Sequence, residues 1–305
     1  MRTGTRSNNP PTQSLIGRTV PSESVVPAPS LRFQPIITGA SAGLGVEFAR
    51  QLAPRSTRML LVARRAEFLT VVAADLQAQW PDLDVVICPA DVATEAGRVA
   101  ISSSLERHQF APNLLINNAG LGDYGSFETA SAERIQQQID VNITGLVMLT
   151  HRLLPQLKAQ RPSGILNVSS LAGTIPLPEM AIYAATKAFV TSFTEALRIE
   201  LLDQGVTVSA VCPGPTPTTF SAVAQRTGGQ DTNRSGQTFL RMPNDAVVAQ
   251  GLAALEHQQA TIYPGWGPTI ASQFFRLIPR WLMRRLLTRR LHKDRAAHPS
   301  PPKSP

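Results

Sequence analysis

Short apolar runs alternate with longer amphipathic stretches along the chain from Pro35 onward. The first runs are PIIT, RMLLVAR and DVVICPADV, and helix-like segments such as GLGVEFARQLAP and AEFLTVVAADLQAQW separate them. Strands that alternate with helices form βαβ units and a parallel sheet, and continuous apolar runs are typical of strands covered on both faces. The sequence therefore predicts an α/β protein with a single, doubly wound domain, whose ligands bind at the carboxyl ends of the strands.

Composition divides the chain into three parts. Residues 1–32 are rich in Pro, Ser and Thr and are predicted to be a disordered N-terminal tail, with a transit peptide as the alternative. The α/β alternation predicts a domain over residues 33–268, and residues 269–305 form a basic amphipathic tail. The net charge of +8 comes from this tail, because nine Lys or Arg but one acid follow from Arg276 onward. The neutral remainder argues against a nucleic-acid-binding protein.

A glycine-rich turn, TGASAGLG, connects the first predicted strand to the first predicted helix. Its glycines are Gly39, Gly43 and Gly45. A turn without side chains lets backbone N–H groups approach a pyrophosphate, and the following helix presents its N-terminus to the anion. The position between a strand and a helix favours a dinucleotide site over a merely tight turn.

The end of the second strand bears on the choice between NAD and NADP. An acid there would bind the ribose hydroxyls, but the sequence has Arg64 and Arg65 instead. A guanidinium can pair with a 2′-phosphate, so the residues favour NADP(H) over NAD(H), with a solvated basic pair as the alternative. Asp91, at the end of the third strand, is predicted to contact the adenine or to act as a helix N-cap.

Tyr183 and Lys187 are four residues apart at the start of a predicted helix, so they share one face. A nearby ammonium favours the phenolate and is predicted to lower the pKa of Tyr183, which would make the phenol an acid–base group. Ser170 ends the preceding strand, where its hydroxyl could hold a substrate oxygen beside that phenol. The combination with the glycine turn predicts a proton-transfer site.

Six segments of the sequence follow one another in the order TGASAGLG, NNAG (117–120), VNITG (141–145), NVSS (167–170), YAATK (183–187) and CPGPT (212–216). In these segments and their order the sequence resembles the short-chain dehydrogenases/reductases. The resemblance spans roughly residues 35–265. It implies a Rossmann fold with a seven-stranded parallel sheet and an NAD(P)-dependent oxidoreductase acting on CH–OH groups.

The resemblance also implies roles for individual residues. Tyr183 would be the general acid/base, Ser170 would orient the carbonyl, and Lys187 would bind the nicotinamide ribose. Asn142 would hold a water that relays protons toward Lys187. The predicted cofactor-binding residues are Thr38, Gly39, Ser41, Gly43, Leu44, Gly45, Arg64, Arg65, Asp91, Asn118, Ala119, Gly120, Tyr183, Lys187, Pro213, Gly214 and Thr216.

The segments VARR and PGPT are similar to the NADP-preferring branch that reduces acyl or other lipophilic carbonyl compounds. The predicted function is hydride transfer between NADP(H) and such a ketone or its secondary alcohol. A non-catalytic NADP(H)-binding regulator is the alternative. The polar segment 216–245 is predicted to be a substrate lid, with Phe220 and Phe239 lining an apolar pocket.

The C-terminal tail combines an apolar stripe, which includes Phe274 and Trp281, with arginines at helical spacing. Such a segment can lie on an anionic membrane surface, or pack on the body or a second copy of the chain. Pro279 predicts a break in it.

Cys88 and Cys212 are predicted to be buried free thiols, which favours a reducing, cytoplasmic location. We expect no metal and no nucleic acid, a small carbonyl or alcohol substrate, and a homo-oligomer.

Overall fold

A computed structural model describes residues 32–217 and 240–297, together with residues 1, 220 and 224, and includes the side chains up to residue 293. The chain divides into two units, Met1–Leu31 and Arg32–Pro305. The disordered tail predicted for residues 1–32 lies almost entirely outside the described residues. So do Phe239 and most of the predicted lid.

One parallel sheet of seven strands organises the second unit, and its strand order is β3-β2-β1-β4-β5-β6-β7. The strands are β1 (Pro35–Thr38), β2 (Arg58–Ala63), β3 (Asp84–Pro89), β4 (Leu114–Asn117), β5 (Ser163–Val168), β6 (Val206–Val211) and β7 (Thr261–Ile262). The order reverses between β1 and β4, and this switch point opens a crevice at the carboxyl ends of the strands. The predicted doubly wound Rossmann fold and its seven strands are confirmed.

Helices cover both faces of this sheet. They are α1 (Gly43–Leu52), α2 (Ala66–Gln79), α3 (Glu95–Arg107), α4 (Ala132–Ile139), α5 (Leu146–Ala159), α6 (Ala181–Glu200), α7 (Asn244–Glu256), α8 (Trp266–Leu277) and α9 (Arg280–Ala297). All residues of β1, β4 and β5 are buried. Two apolar clusters lie on the two faces, one around Phe48 and Leu61 and the other around Leu60 and Leu153. The continuous apolar runs of the sequence therefore mark strands covered on both sides.

The helical region after residue 131 is interrupted near the crevice. Helix α4 passes into a π-helical turn, Asp140–Gly145, before α5 begins. Such turns are frequent at functional sites. Asn142 lies in this turn and is buried, and Gly145 passes so close to Val92 that a Cβ on it would be 2.9 Å from the Val92 carbonyl oxygen.

The C-terminal region forms two helices. Helix α8 runs across residue 268, where the sequence places the domain boundary, and Ile278 and Pro279 separate it from α9. None of the helices in the described part of the chain is both long and apolar enough to cross a membrane. The two cysteines are free and buried, as predicted.

Candidate active site

The glycine turn places backbone, rather than side chains, at the switch point. Gly39 and Gly43 have φ values of +66° and +55°, which side-chain-bearing residues rarely adopt. A Cβ on Gly45 would lie 2.1 Å from the Gly39 carbonyl oxygen. Ala42 precedes α1 and has no side-chain oxygen to cap it, so the first N–H groups of the helix are available to an anion. These features fit a dinucleotide pyrophosphate.

Thr38 and Asn118 tie the glycine turn to the end of β4. The Thr38 hydroxyl accepts hydrogen bonds from the backbone N–H groups of Asn118 and Ala119, at 3.0 and 3.1 Å. The Asn118 side chain donates to the carbonyl oxygens of Thr38 and Gly39, at 3.0 and 3.2 Å. The two segments predicted to contact the cofactor are thus held together by four hydrogen bonds.

Arg64 and Arg65 follow β2 directly and are both exposed. The Arg65 guanidinium lies 4.0 Å from the centre of the Phe68 ring. Their position at the carboxyl end of β2, beside β1 and its glycine turn, is where a ribose phosphate could meet them.

Asp91 makes a local turn at the end of β3. Its side chain accepts a hydrogen bond from the Ala93 N–H at 3.0 Å. Thr94, not Asp91, is the N-cap of α3, because the Thr94 hydroxyl accepts the hydrogen bond from Gly97 N–H. The N-cap alternative for Asp91 is therefore wrong, since the chain needs three more residues to turn into the helix.

The two serines of NVSS have different surroundings. Ser169 is buried, and its hydroxyl donates to the Lys187 carbonyl oxygen at 2.7 Å and lies 2.7 Å from the Thr191 hydroxyl. Ser170 is half-buried and caps the short 3-10 turn Leu171–Thr174 by accepting from Ala172 N–H. The Ser170 side chain also lies beside Tyr183, where it acts to lower the Tyr183 pKa. Ser170, rather than Ser169, therefore faces the tyrosine.

Tyr183 and Lys187 are brought together on the first turns of α6, and both are buried. The Lys187 ammonium lies 5.8 Å from the centre of the Tyr183 ring and donates a hydrogen bond to the Val168 carbonyl oxygen at 2.8 Å. The spacing of four residues therefore places both groups on the same face, toward the end of β5.

Burial shifts the pKa values of Tyr183 and Lys187 so that the neutral form of each side chain is favoured. It raises the pKa of Tyr183 well above its ordinary value, and the neighbouring Ser170 side chain acts in the opposite direction. Burial also lowers the pKa of Lys187 to about 8. The net shift of the Tyr183 pKa is therefore upward rather than downward as predicted, because loss of hydration penalises the phenolate more than its surroundings stabilise it.

Asn142 connects three parts of the site. Its side-chain oxygen accepts from Leu121 N–H at 2.8 Å, and its amide nitrogen donates to the Leu121 carbonyl and the Thr186 hydroxyl at 2.9 and 3.0 Å. Gly120 lies between this amide and Lys187, since a Cβ on Gly120 would be 3.6 Å from Asn142 Oδ1 and 3.5 Å from Lys187 Nζ. Leu121 and Thr186 belong to this arrangement but were not predicted, because their bonds join segments far apart in sequence.

A buried polar network lies beneath the site. The Asn117 side chain donates to Asn167 Oδ1 at 2.8 Å and to the Thr150 hydroxyl at 2.9 Å. The Asn167 side chain in turn donates to the Thr194 hydroxyl at 2.9 Å. The network joins β4 and β5 to α5 and α6, and it satisfies polar groups that burial would otherwise penalise.

Phe220 and the segment after β6 border the same crevice. The Phe220 ring lies 5.4 Å from the Tyr183 ring and packs against Gly122, where a Cβ would be 2.6 Å from the ring. The Pro213 carbonyl accepts from Leu171 N–H, and Gly214 passes close to the Leu240 carbonyl. Thr216 is half-exposed at the end of this segment.

Metal-binding side chains do not gather in this crevice. Among residues 32–217 and 240–293, no three His, Cys, Asp or Glu side chains come close enough to hold a metal ion.

Comparisons with known proteins agree with this geometry. The model of the short chain dehydrogenase family matches residues 35–228. The sulfoacetaldehyde reductase of Chromohalobacter salexigens is 35% identical over 234 residues, covering 75% of this chain and 88% of the relative. A short-chain dehydrogenase from Sphingobium yanoikuyae in complex with NADPH has a TM-score of 0.69 and 28% identity, covering 89% of this chain and 98% of its own.

A short chain dehydrogenase/reductase from Burkholderia phymatum in complex with NAD has a TM-score of 0.68 and 25% identity, covering 90% of this chain and 99% of its own. The relatives thus include proteins with either cofactor. The family match covers well over half of the chain, and the predicted sheet and motifs agree with it. We conclude that this chain belongs to the short-chain dehydrogenase family and is an oxidoreductase acting on alcohols or ketones with NAD(P).

Proposed function

We propose that the protein reduces a lipophilic or acyl-type ketone, or oxidises the corresponding secondary alcohol, with NADP(H). The observation that carries the proposal is the position of Tyr183. Its phenol is buried beside Ser170, and the centre of its ring lies 5.8 Å from the Lys187 ammonium. A proton donor, a carbonyl-orienting hydroxyl and a cation therefore meet beside the glycine turn, where this fold binds dinucleotides.

The residues around the crevice fit the cofactor. The glycine turn would take the pyrophosphate, Arg64 and Arg65 the 2′-phosphate, Asp91 the adenine, and Lys187 the nicotinamide ribose. Pro213, Gly214 and Thr216 would lie along the nicotinamide. When bound, NADP(H) supplies or accepts the hydride. The tight backbone turn that Gly39 and Gly45 permit supports this assignment, because any side chain there would collide with backbone or with Asn118.

In the proposed reduction, the Tyr183 hydroxyl gives its proton to the carbonyl oxygen while the carbonyl carbon receives the hydride. The Ser170 hydroxyl donates a hydrogen bond to the same oxygen and so orients it. The Lys187 ammonium stabilises the phenolate that remains. Asn142 acts as a positioning residue, since its bonds to Leu121 and Thr186 hold α6 against the end of β4. Its predicted role as a water relay stays a prediction.

The two buried groups predict how activity changes with pH. Reduction needs the neutral phenol, which the raised pKa of Tyr183 preserves, and the charged Lys187, which is lost as pH rises through its pKa of about 8. We expect kcat/KM for reduction to be level from about pH 6 to 7 and to fall above about pH 8, as Lys187 loses its proton. Initial rates of NADPH oxidation measure this, with NADPH affinity at each pH as the control. Reduction that speeds up above pH 8 would contradict the assignment.

The two serines offer a matched pair of substitutions. We expect Ser170→Ala to lower kcat by one to two orders of magnitude, because the carbonyl oxygen loses a hydrogen bond that strengthens in the transition state. Ser169→Ala should keep kcat within about threefold but destabilise the protein by about 1 kcal/mol, since it removes a buried structural bond. Steady-state kinetics and thermal unfolding of both variants measure this. A reversed pattern would assign the orienting role to Ser169.

The substrate class is supported by the apolar ring of Phe220, whose centre lies 5.4 Å from that of the Tyr183 ring. A panel of NADPH oxidation assays tests it, with medium-chain 3-oxoacyl thioesters, bulky ketones and the small anionic sulfoacetaldehyde. We expect kcat/KM to rise with the apolar length of the substrate. Preference for sulfoacetaldehyde would overturn this class and extend the relative's chemistry to this chain.

The non-catalytic alternative is not favoured. The relatives are reductases and dehydrogenases, and a cofactor-binding regulator has no need of a serine, tyrosine and lysine at a carbonyl site.

We further propose that the enzyme works as a homo-oligomer in the cytoplasm, with peripheral membrane contact through its C-terminal region. Exposed Met148 on α5 and Phe189 on α6 support an interface between subunits.

A further inference from the structure

The side chains of α8 are distributed in the opposite way to those of an ordinary surface helix. Its buried residues are small, namely Gly267, Pro268 and Ser272. Its large apolar side chains point outward, and the exposed fractions are 72% for Trp266, 61% for Ile270, 59% for Phe274 and 82% for Leu277. Most surface helices of globular proteins bury their large apolar face. Packing on the body therefore does not explain why these residues are apolar.

The exposed residues form a continuous feature. Trp266, Ile270, Phe274 and Leu277 recur at intervals of three or four, which places them along one side of the helix. Trp281, which is 64% exposed, lies at the start of α9, just after the break at Ile278 and Pro279. We call these five residues the apolar stripe. Single exposed apolar residues are common, but a contiguous row marks an interaction surface.

Positive charge accompanies the stripe. Between residues 257 and 293 the sequence has seven Lys or Arg and no Asp or Glu. Helix α9 exposes Arg280, Arg284, Arg285 and Arg289, while Met283 is buried. An apolar row with tryptophans beside a cationic helix matches the chemistry of an anionic lipid surface, where rings lie at the headgroup level and arginines meet the phosphates.

We propose that α8 and α9 dock the enzyme on the surface of an anionic lipid bilayer, with the apolar stripe in the interface and the α9 arginines on the headgroups. A second copy of the chain is a poorer occupant, because two surfaces of like charge would face each other. Nucleic acid would use the arginines but leave the stripe in water. This deepens the peripheral contact proposed above and does not depend on the identity of the carbonyl substrate.

Helix α8 also connects this surface to the candidate active site. Its inner side packs on the turn near the predicted nicotinamide position, since a Cβ on Gly214 would be 3.2 Å from the Pro268 ring. Ala271 packs against a cluster that contains Leu171 and Cys212, next to Ser170. The thickness of one helix, about 10 Å, therefore separates the docked lipid from the site.

Flotation of the full-length protein with vesicles tests the proposal. We expect binding to vesicles of phosphatidylcholine with 30% phosphatidylglycerol, about tenfold weaker binding to pure phosphatidylcholine, and release at high salt. Phe274→Ser/Leu277→Ser and Arg284→Gln/Arg285→Gln should each lower binding about tenfold or more. The matched controls are Ile199→Ser/Leu202→Ser, which removes equally exposed apolar residues, and Arg107→Gln/Lys158→Gln, which removes exposed charge.

Three results would overturn the proposal: no binding to anionic vesicles, equal binding to both kinds of vesicle, or equal losses in the control variants. A fall in oligomeric state of the Phe274→Ser/Leu277→Ser variant without vesicle binding by the wild type would assign the stripe to a second copy. NADPH oxidation with a water-soluble ketone, measured on the same samples, separates this outcome from the proposed function. The Tyr183→Phe variant should bind vesicles like the wild type.

Discussion

Replacement of Tyr183 by Phe is expected to lower kcat by at least about 1,000-fold while NADPH affinity stays within about threefold of the wild type. The change removes one hydroxyl, and with it the proton that the carbonyl oxygen needs. The phenyl ring keeps its contact with Phe220, whose ring centre lies 5.4 Å away, so the local packing is retained. Steady-state turnover and an NADPH fluorescence titration measure the two quantities.

Tyr263 provides the matched control for this substitution. It is another of the three tyrosines in the chain and is also buried, but it lies beside β7 rather than in the serine–tyrosine–lysine arrangement. Tyr263→Phe should keep kcat within about threefold. If Tyr183→Phe turns over like the wild type, the proton comes from another group and the proposed mechanism fails.

Replacement of Arg64 by Asp is expected to weaken NADPH binding by two to three orders of magnitude and to leave NADH binding within about threefold. The substitution removes a charge-assisted hydrogen bond to the 2′-phosphate, worth about 1.5–3 kcal/mol, and adds a repulsive carboxylate. Because about 1.4 kcal/mol corresponds to a tenfold change in affinity, the combined effect reaches this range. Calorimetric titration of each cofactor measures it.

Arg107 serves as the control for the change in charge. It is exposed at the C-terminal end of α3, at the opposite edge of the sheet from the glycine turn, so Arg107→Asp should leave both affinities unchanged. Equal affinities of the wild type for NADPH and NADH would mean that Arg64 and Arg65 are only surface charge. The stacking of Arg65 on Phe68, at 4.0 Å, leaves Arg64 as the more informative of the two positions.

The fold could be predicted to a large extent because its signals are local. Each strand is a short apolar run whose neighbours on both sides are helices, and parallel pairing follows from that alternation. Pairings such as Ile36 with Leu60 and Leu115 place β1 between β2 and β4, although 75 residues separate the end of β1 from the start of β4. The π-helical turn at Asp140–Gly145 was not predicted, because the helices before and after it have the same spacing of apolar residues.

The site was predictable in its residue types but not in its electrostatics. The spacing of Tyr183 and Lys187 is a property of one helix, and the turn after β1 is a property of eight consecutive residues. The pKa of each buried group depends instead on how many segments enclose it. Burial therefore reversed the shift predicted for Tyr183, and Thr94 rather than Asp91 proved to be the helix cap.

The sequence by itself determined the βα alternation, the glycine turn and the common face of Tyr183 and Lys187, because each depends on backbone geometry over a few residues. Tertiary structure decided how Asn142 joins Leu121 to Thr186, and which side of α8 is exposed. These outcomes depend on contacts between segments far apart in the chain. Burial and hydrogen bonding at such contacts follow from the packed whole and not from any local pattern.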